Sequence, residues 1–380
     1  MIRRIALFGS VGLAALATLA FAAAAVAKTI HVRPGDSIQS AVKRADSGDK
    51  VLVHRGKYKE RSRTCAFEPD RTCAVSVTED DIRLVGKKGA VLKAKGEQDD
   101  GIGVGTTLEA ACLTDRSKRL QGSLIKGLKV RGFAEDGVFL ACVEDWRITK
   151  TEAVDNAEYG LFPSHSVDGR IDHSFTSGAN DTGFYIGQSR DARMDHNEAT
   201  DNVSGYEIEN STDVRADHNL SEGNTAGILS FALPNLDIKV NDANRVDHNE
   251  VRQNNRPNTC LDPEETVCSV PPGTGILLLA ADNNRVDSNE VTGNNSFGIA
   301  VADYCVALGV PAAECAALDI NPAPDGNQVL SNRVTGNGTS PDPSLPSVFA
   351  VDLAWDLSGS GNCWSQNQAG TTFPSPLPAC

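Results

Sequence analysis

The chain has 380 residues, 40% apolar, 23% charged and 5% aromatic, an ordinary globular composition that excludes a disordered or collagen-like polypeptide. Lys and Arg total 36 against 50 Asp and Glu, a net charge of −14, which excludes a surface built to hold phosphate backbones or anionic lipid. With 34 Gly and only 2 Met, the sequence favours turns and β-structure over helix bundles.

In chain order, Met1-Ile2-Arg3-Arg4 precedes an Ala-rich apolar run from Ile5 to Val26. The run ends in Ala25-Val26-Ala27, the small-x-small pattern that a signal peptidase accepts. Residues 1–27 are read as a cleavable leader rather than a retained anchor, so the mature chain is expected to be secreted and off the membrane. Its removal leaves 34 basic against 50 acidic residues, a net of −16. Next come Thr29-Ile30-His31-Val32, then Ser37-Ile38-Gln39-Ser40-Ala41-Val42, then Lys50-Val51-Leu52-Val53 and Gly56-Lys57-Tyr58. This order resembles the entry of pectin-lyase-like β-helix proteins, which implies a first strand, a short helix capping the open apolar end, and the first coil.

The ten cysteines are even in number and fall into neighbours along the chain, without C-x₂-C spacing or Cys/His clusters. Disulfides formed outside the cytosol are the better reading. The pairing 65–73, 112–142, 260–268, 305–315 and 363–380 is expected, although spacing leaves the connectivity open.

From residue 137 the chain repeats itself. Arg147, Arg170, Arg193, Arg215, Arg245 and Arg285 each open an Arg-x-Asp-His-Asn-like segment, at spacings of 23, 23, 22, 30 and 40. Gly137, Gly160, Gly183, Gly205, Gly227, Gly275 and Gly298 each open a short alternating apolar run. A period of 22–23 residues without a Leu-x-x-Leu-x-Leu frame reads as strand, turn, strand, turn, strand: one rung of an all-β, right-handed parallel β-helix. Asn tolerates left-handed turn conformations and bonds its counterpart one rung away. Two Asn columns are expected, one over 197, 219, 249, 289 and 332 and one over 202, 224, 254, 294 and 337. The stretches YGLFPSHS, SGANDTGFYIGQS and GYEIENS are similar to a family of bacterial secreted β-helix repeat proteins, a likeness that implies fold and assigns no reaction. The expected organisation is a leader (1–27), a β-helix domain with disulfide-bearing inserts (28–340), and a C-terminal tail packed on the last coils (341–380).

The Arg and Asp columns, two residues apart on a strand, are expected on one outer face, neutralising each other in solvent for roughly 0–1 kcal/mol per pair. The alternative is a divalent-ion row or a catalytic His/Asp pair. Departures from the repeat say more. With Leu161, Phe184, Tyr206, Ile228 and Ile276 pointing inward, the outward columns read Phe139, Phe162, Tyr185, Glu207, Leu229, Leu277 and Ala141, Ser164, Gly187, Glu209, Phe231, Leu279. Glu207 and Glu209 then stand about 6.8 Å apart on one strand, inside the roughly 6.5–9.5 Å range of an inverting acid/base pair. Phe162, Tyr185 and Phe231 beside them suggest a sugar-binding groove. Asp181, Gln188 and Arg190 flank the strip as substrate contacts, and His165, which breaks the repeat, is a candidate base with Tyr185 as acid. Ile171-Asp172-His173-Ser174 is similar to a pectate lyase motif but lacks the preceding Trp and the paired catalytic arginines. The Asp-Pro-His-Asp run associated with alginate epimerases is absent.

The expectation is therefore a secreted, monomeric β-helix that binds or modifies an extracellular polysaccharide as lyase, epimerase or hydrolase. The alternative is a non-catalytic surface, adhesion or scaffold module. No cofactor is expected, with Ca²⁺ left open, and no nucleic-acid partner.

Overall fold

The computed structural model describes residues 27–380; apart from Ala27, the expected leader lies outside them. Three sheets of 12, 11 and 12 strands run the length of the molecule, and each rung contributes one strand to each. Pairing between rungs is parallel and in register, as for Arg170, Arg193, Arg215, Arg245 and Arg285 in the first sheet. The two-residue strand Arg63–Thr64 pairs antiparallel with Thr72–Val77. This is the all-β parallel helix that the period predicts.

Alternation within each strand builds the core. Ile148, Ile171, Met194, Ala216, Val246, Val286 and Val329 occupy equivalent inward positions and are sealed from solvent. Full burial of one such aliphatic side chain contributes about 1.5–3 kcal/mol. The glycine column is required by close approach between rungs: a Cβ at Gly160 would lie 2.4 Å from the Gly183 carbonyl oxygen. A five-residue helix, Ile38–Val42, follows the first strand and buries Ile38, Ala41 and Val42 in the main core.

Both Asn columns form as continuous ladders. The Asn197 backbone N–H and Nδ2 both donate to Asn219 Oδ1, at 3.0 and 3.1 Å, and Asn219 repeats the pattern toward Asn249. A third ladder, not anticipated, runs through Asn244, Asn284, Asn327 and Asn362. It sits where Asn directly precedes the first strand of a rung.

The Arg-x-Asp-His column corrects the expectation of a solvated ion-pair face. The aspartates are buried: Asp195 and Asp217 have no exposed surface, whereas their arginines remain about one third exposed. Each arginine from Arg147 to Arg245 reaches forward one rung, as Arg170 does to Asp195 through Nε and Nη2, both at 2.6 Å, and Arg285, the last, bonds the Asp287 of its own rung. The histidine at the turn adopts a left-handed backbone, at φ 55° for His196, and its Nδ1 meets the carboxylate of the preceding Asp at 2.8 Å. His173, His196, His218 and His248 stack with ring centroids 5.1–5.2 Å apart. The row is therefore an interlocked structural seam, which leaves its aspartates committed to cations of the protein itself.

All five expected disulfides are present. The segment expected as a packed tail instead extends the helix. Leu353–Trp355, Cys363–Ser365 and Gln368–Ala369 add strands to all three sheets before Cys380 ties back to Cys363. Its Pro- and Ser-rich composition hid strands of only two or three residues.

Candidate functional site

The third sheet carries the glycine column followed by the alternating run, and its outward face is the floor of the site. Register confirms both outward columns: Tyr185 pairs with Glu207 and Glu207 with Leu229, while Gly187 pairs with Glu209 and Glu209 with Phe231. The inserts rise around this floor. Residues 256–273 form one wall through Val267, Val270 and Pro271; residues 304–326 and the segment near Leu345 and Phe349 form the others. Between them lies a cleft of about 1030 Å³.

The floor is apolar toward the C-terminal rungs, where Leu229, Leu277, Leu279 and Ala300 follow one another. At the opposite end it is closed by Asp181, Glu207, Glu209 and Tyr159. Glu207 is 4% exposed and Glu209 9%. Burial, opposed by the nearby Ser204 hydroxyl and reinforced by Glu209, pushes the Glu207 carboxyl up to about 7. Burial also pushes Glu209 to about 7, although the Tyr185 hydroxyl donates a hydrogen bond to it. Asp181 is raised well above the usual carboxylate range by burial and by Glu207. Gly187 makes this packing possible, since a Cβ there would sit 1.9 Å from Tyr185 Oη.

The structure brings together Glu207, Glu209, Asp181 and Tyr185, with Phe231 on the floor of the same cleft. Phe162 and Tyr185 are not open platforms: their rings lie 4.3 Å apart, Tyr159 stacks on Phe162 at 4.3 Å, and Phe139 meets it edge-on at 4.7 Å. His165, Gln188 and Arg190 lie apart, beyond the opposite end of the strands, and none lines the cleft. His165 is 3% exposed, with Ser164 Oγ at 2.9 Å from one ring nitrogen and Asp237 Oδ2 at 3.0 Å from the other. Gln188 accepts the Asp237 backbone N–H at 2.7 Å, and Arg190 pairs with Asp191 at 2.6 Å. These three hold the 232–242 loop and its neighbouring turn rather than the acid cluster.

Tyr159 and Glu158 were missed by sequence reasoning. Burial, with Glu135, pushes Glu158 up to about 7. An available signal was the position two before each repeat glycine, which reads Asp99, Glu135, Glu158 and Asp181. Toward the N-terminal rungs this acid row ends at Asp100 and Asp136, where Arg71 closes it with Nη2 at 2.7 and 2.8 Å from the two carboxylates.

A parallel β-helix with a walled cleft on its third sheet is the class that fold and site define. Residues 119–369 match the family model described as "NosD: Periplasmic copper-binding protein (NosD)", and the chain belongs to that family. No curated protein matches it. Among solved structures, the Azotobacter vinelandii mannuronan C-5 epimerase AlgE6 A-module is 16% identical, with a TM-score of 0.63 over 90% of this chain and 92% of that one. The tailspike protein of E. coli bacteriophage HK620, solved with a hexasaccharide, is 8% identical, with a TM-score of 0.58 over 88% of this chain and 59% of that one. At such identities the likeness is one of fold.

Proposed function

We propose that the protein is exported to the periplasm or cell exterior, where it binds a polysaccharide in the third-sheet cleft and acts on it by acid/base hydrolysis. The observation that carries this reading is the pair Glu207 and Glu209, buried in a cleft large enough for several sugar units and held near neutral pKa. A carboxyl in that range supplies both protonation states at neutral pH. Tyr185 donates to Glu209, favouring its carboxylate form and the role of base toward a water. Glu207 is then the acid that protonates the leaving glycosidic oxygen. Strand geometry separates the two by about 6.8 Å, which leaves room for that water. Polysaccharide-acting neighbours on the same fold support the substrate class by analogy.

The family description names copper, and the donor set tests that suggestion. All ten cysteines are in disulfides, and Met194 is sealed in the core. The two groups of three donors that converge among the described residues, Cys65/Cys73/Asp100 and Asp303/Cys305/Cys315, each contain a disulfide. The histidines of the turn column stack parallel rather than converging on a point, and His31 and His54, whose ring nitrogens lie 2.9 Å apart, converge with no third donor among the described residues. These residues do not fit a closed copper centre, and no step is derived through one.

A binding role without turnover is favoured by one observation: Phe231, Phe297 and Phe349 line the cleft as apolar surfaces that can hold a sugar face without any chemistry. The test is incubation of mature protein with acidic and neutral polysaccharides, reading reducing ends and ultraviolet absorbance together. Reducing ends without absorbance, abolished in Glu207→Gln, are expected. Absorbance growth would replace hydrolysis by elimination, and binding without either product would leave the binding role alone.

A further inference from the structure

We propose that the ligand of the cleft is a cationic glycan, a polymer of amino sugars with free ammonium groups. The inference rests on the glycan reading above and assigns its charge. Every charged side chain lining the cleft is acidic. Asp181, Glu207 and Glu209 lie at the closed end, Glu264 and Glu265 on the insert wall, and Asp342 and Asp356 on the far side. Among the described residues, no Lys, Arg or His lines it.

The same molecule shows how it treats buried acids that have only a structural role. Asp100 and Asp136 are closed by Arg71, the aspartates of the first sheet by an arginine from the preceding rung, and Asp352 by N–H donors from Asn337, Gly370 and Thr371. The three carboxyls at the closed end of the cleft have no cation: hydroxyls reach them, from Thr182 to Asp181 and from Tyr185 to Glu209. Tyr159, Tyr185 and Glu158 are the titratable groups packed around them, and none is cationic. Buried carboxyls without a cation are costly, and an ammonium delivered by the ligand supplies the missing charge.

A polyuronate meets the opposite situation. Its carboxylates would enter a cleft lined only by acids on a chain of net charge −14, and the arginine column that could offset them lies on another sheet, already paired. The aliphatic floor of Leu229, Leu277, Leu279 and Ala300 suits the apolar CH faces of pyranose rings.

The test is calorimetric titration of the mature protein with three oligomers of equal length: β-1,4-glucosamine, its fully N-acetylated form, and galacturonate. Titrations are run at about pH 7, where both the amine and the raised carboxyls of Glu207 and Glu209 are partly ionised. The expected result is binding of the glucosamine oligomer only, weakened by added salt and at least about tenfold weaker in Glu207→Gln. Equal or tighter binding of the N-acetylated or uronate oligomer overturns the ammonium inference and leaves the glycan reading standing. Failure of all three overturns both. The comparison of oligomers uses the unmodified protein, so it holds even if the variant folds poorly.

Discussion

Replacing Glu207 by Gln keeps shape and hydrogen-bonding capacity but removes the need to ionise, so it isolates the cost of this carboxyl in the folded state. In the unfolded chain it titrates in the ordinary glutamate range, about 4.3; in the fold it is held up at about 7. Below the lower value both states carry the proton and the stabilising contribution is complete. As pH rises between the two, the unfolded chain releases its proton while the folded one keeps it, so stability falls and levels off above the folded value. That interval corresponds to about 4 kcal/mol, and because Asp181 and Glu209 share the strain, about 1–3 kcal/mol is expected from one substitution. Glu207→Gln should therefore stabilise the protein by that amount at about pH 8 and leave it nearly unchanged at about pH 4. Urea unfolding followed by circular dichroism at both values measures the difference. Equal effects at the two pH values, or destabilisation at the higher one, would show that the carboxylate is ionised and solvated in the fold, and the acid assignment would fall with it.

Three further outcomes follow from the scaffold. Asn219→Ala strands the backbone N–H and Nδ2 of Asn197 together with the Met194 carbonyl. At about 1–3 kcal/mol per buried orphan group, thermal melting should show one of the largest losses of any single ladder substitution. Gly160→Ala forces a methyl against the Gly183 carbonyl oxygen at 2.4 Å and should cost about 1–3 kcal/mol, measured by urea unfolding. Burial alone would raise Asp195, but hydrogen bonds from Arg170 and His196 hold it below the ordinary carboxylate range. Its contribution is therefore present above the unfolded pKa of about 3.9 and lost as pH falls below it. Asp195→Ala should cost about 2 kcal/mol at neutral pH, less than for a fully enclosed pair because the arginines stay solvated, with the deficit shrinking in acid.

The β-helix was legible because its determinants are local and repeated. An inward aliphatic, a turn Asn and a crowding-intolerant Gly recur once per rung, so six copies of a weak signal reinforce one another. The pairing of the disulfides was legible for a related reason, since each bond closes a single loop of 8 to 30 residues. Terminal rungs escaped detection because their strands are only two or three residues long and their turns are extended by Pro-rich inserts. The burial of the Asp column was misjudged because strand alternation says which face a side chain takes, not what covers it. Here a histidine in a left-handed turn and two flanking arginines cover it, and those contacts lie between rungs.

The candidate site was only half legible, for a physical reason that bears on function. Outward columns on a strand can be counted from sequence, so Glu207, Glu209 and Tyr185 were found together. Which end of a strand a flanking polar residue serves depends on where the loops fold back. His165, Gln188 and Arg190 serve the 232–242 loop, whereas Asp181, at the other end, serves the acid cluster. The repeat also explains why the cleft lies where it does. Where the third-sheet face keeps its aromatic column, at Phe139 and Phe162, the rings pack on one another and leave nothing for a ligand, whereas the aliphatic column from Leu229 onward is left as the open floor of the cleft. At Glu207 and Glu209 the column changes chemistry within one rung, from Tyr185 and Gly187 on one side to Leu229 and Phe231 on the other. Tyr185 on the neighbouring rung offers that rung a hydroxyl but no cation, and the inserts around the cleft add apolar, neutral polar and acidic groups. The unmet requirement is positive charge on an apolar-faced ligand, which is why the charge of the glycan, more than its linkage, is the property that the cleft is built to select.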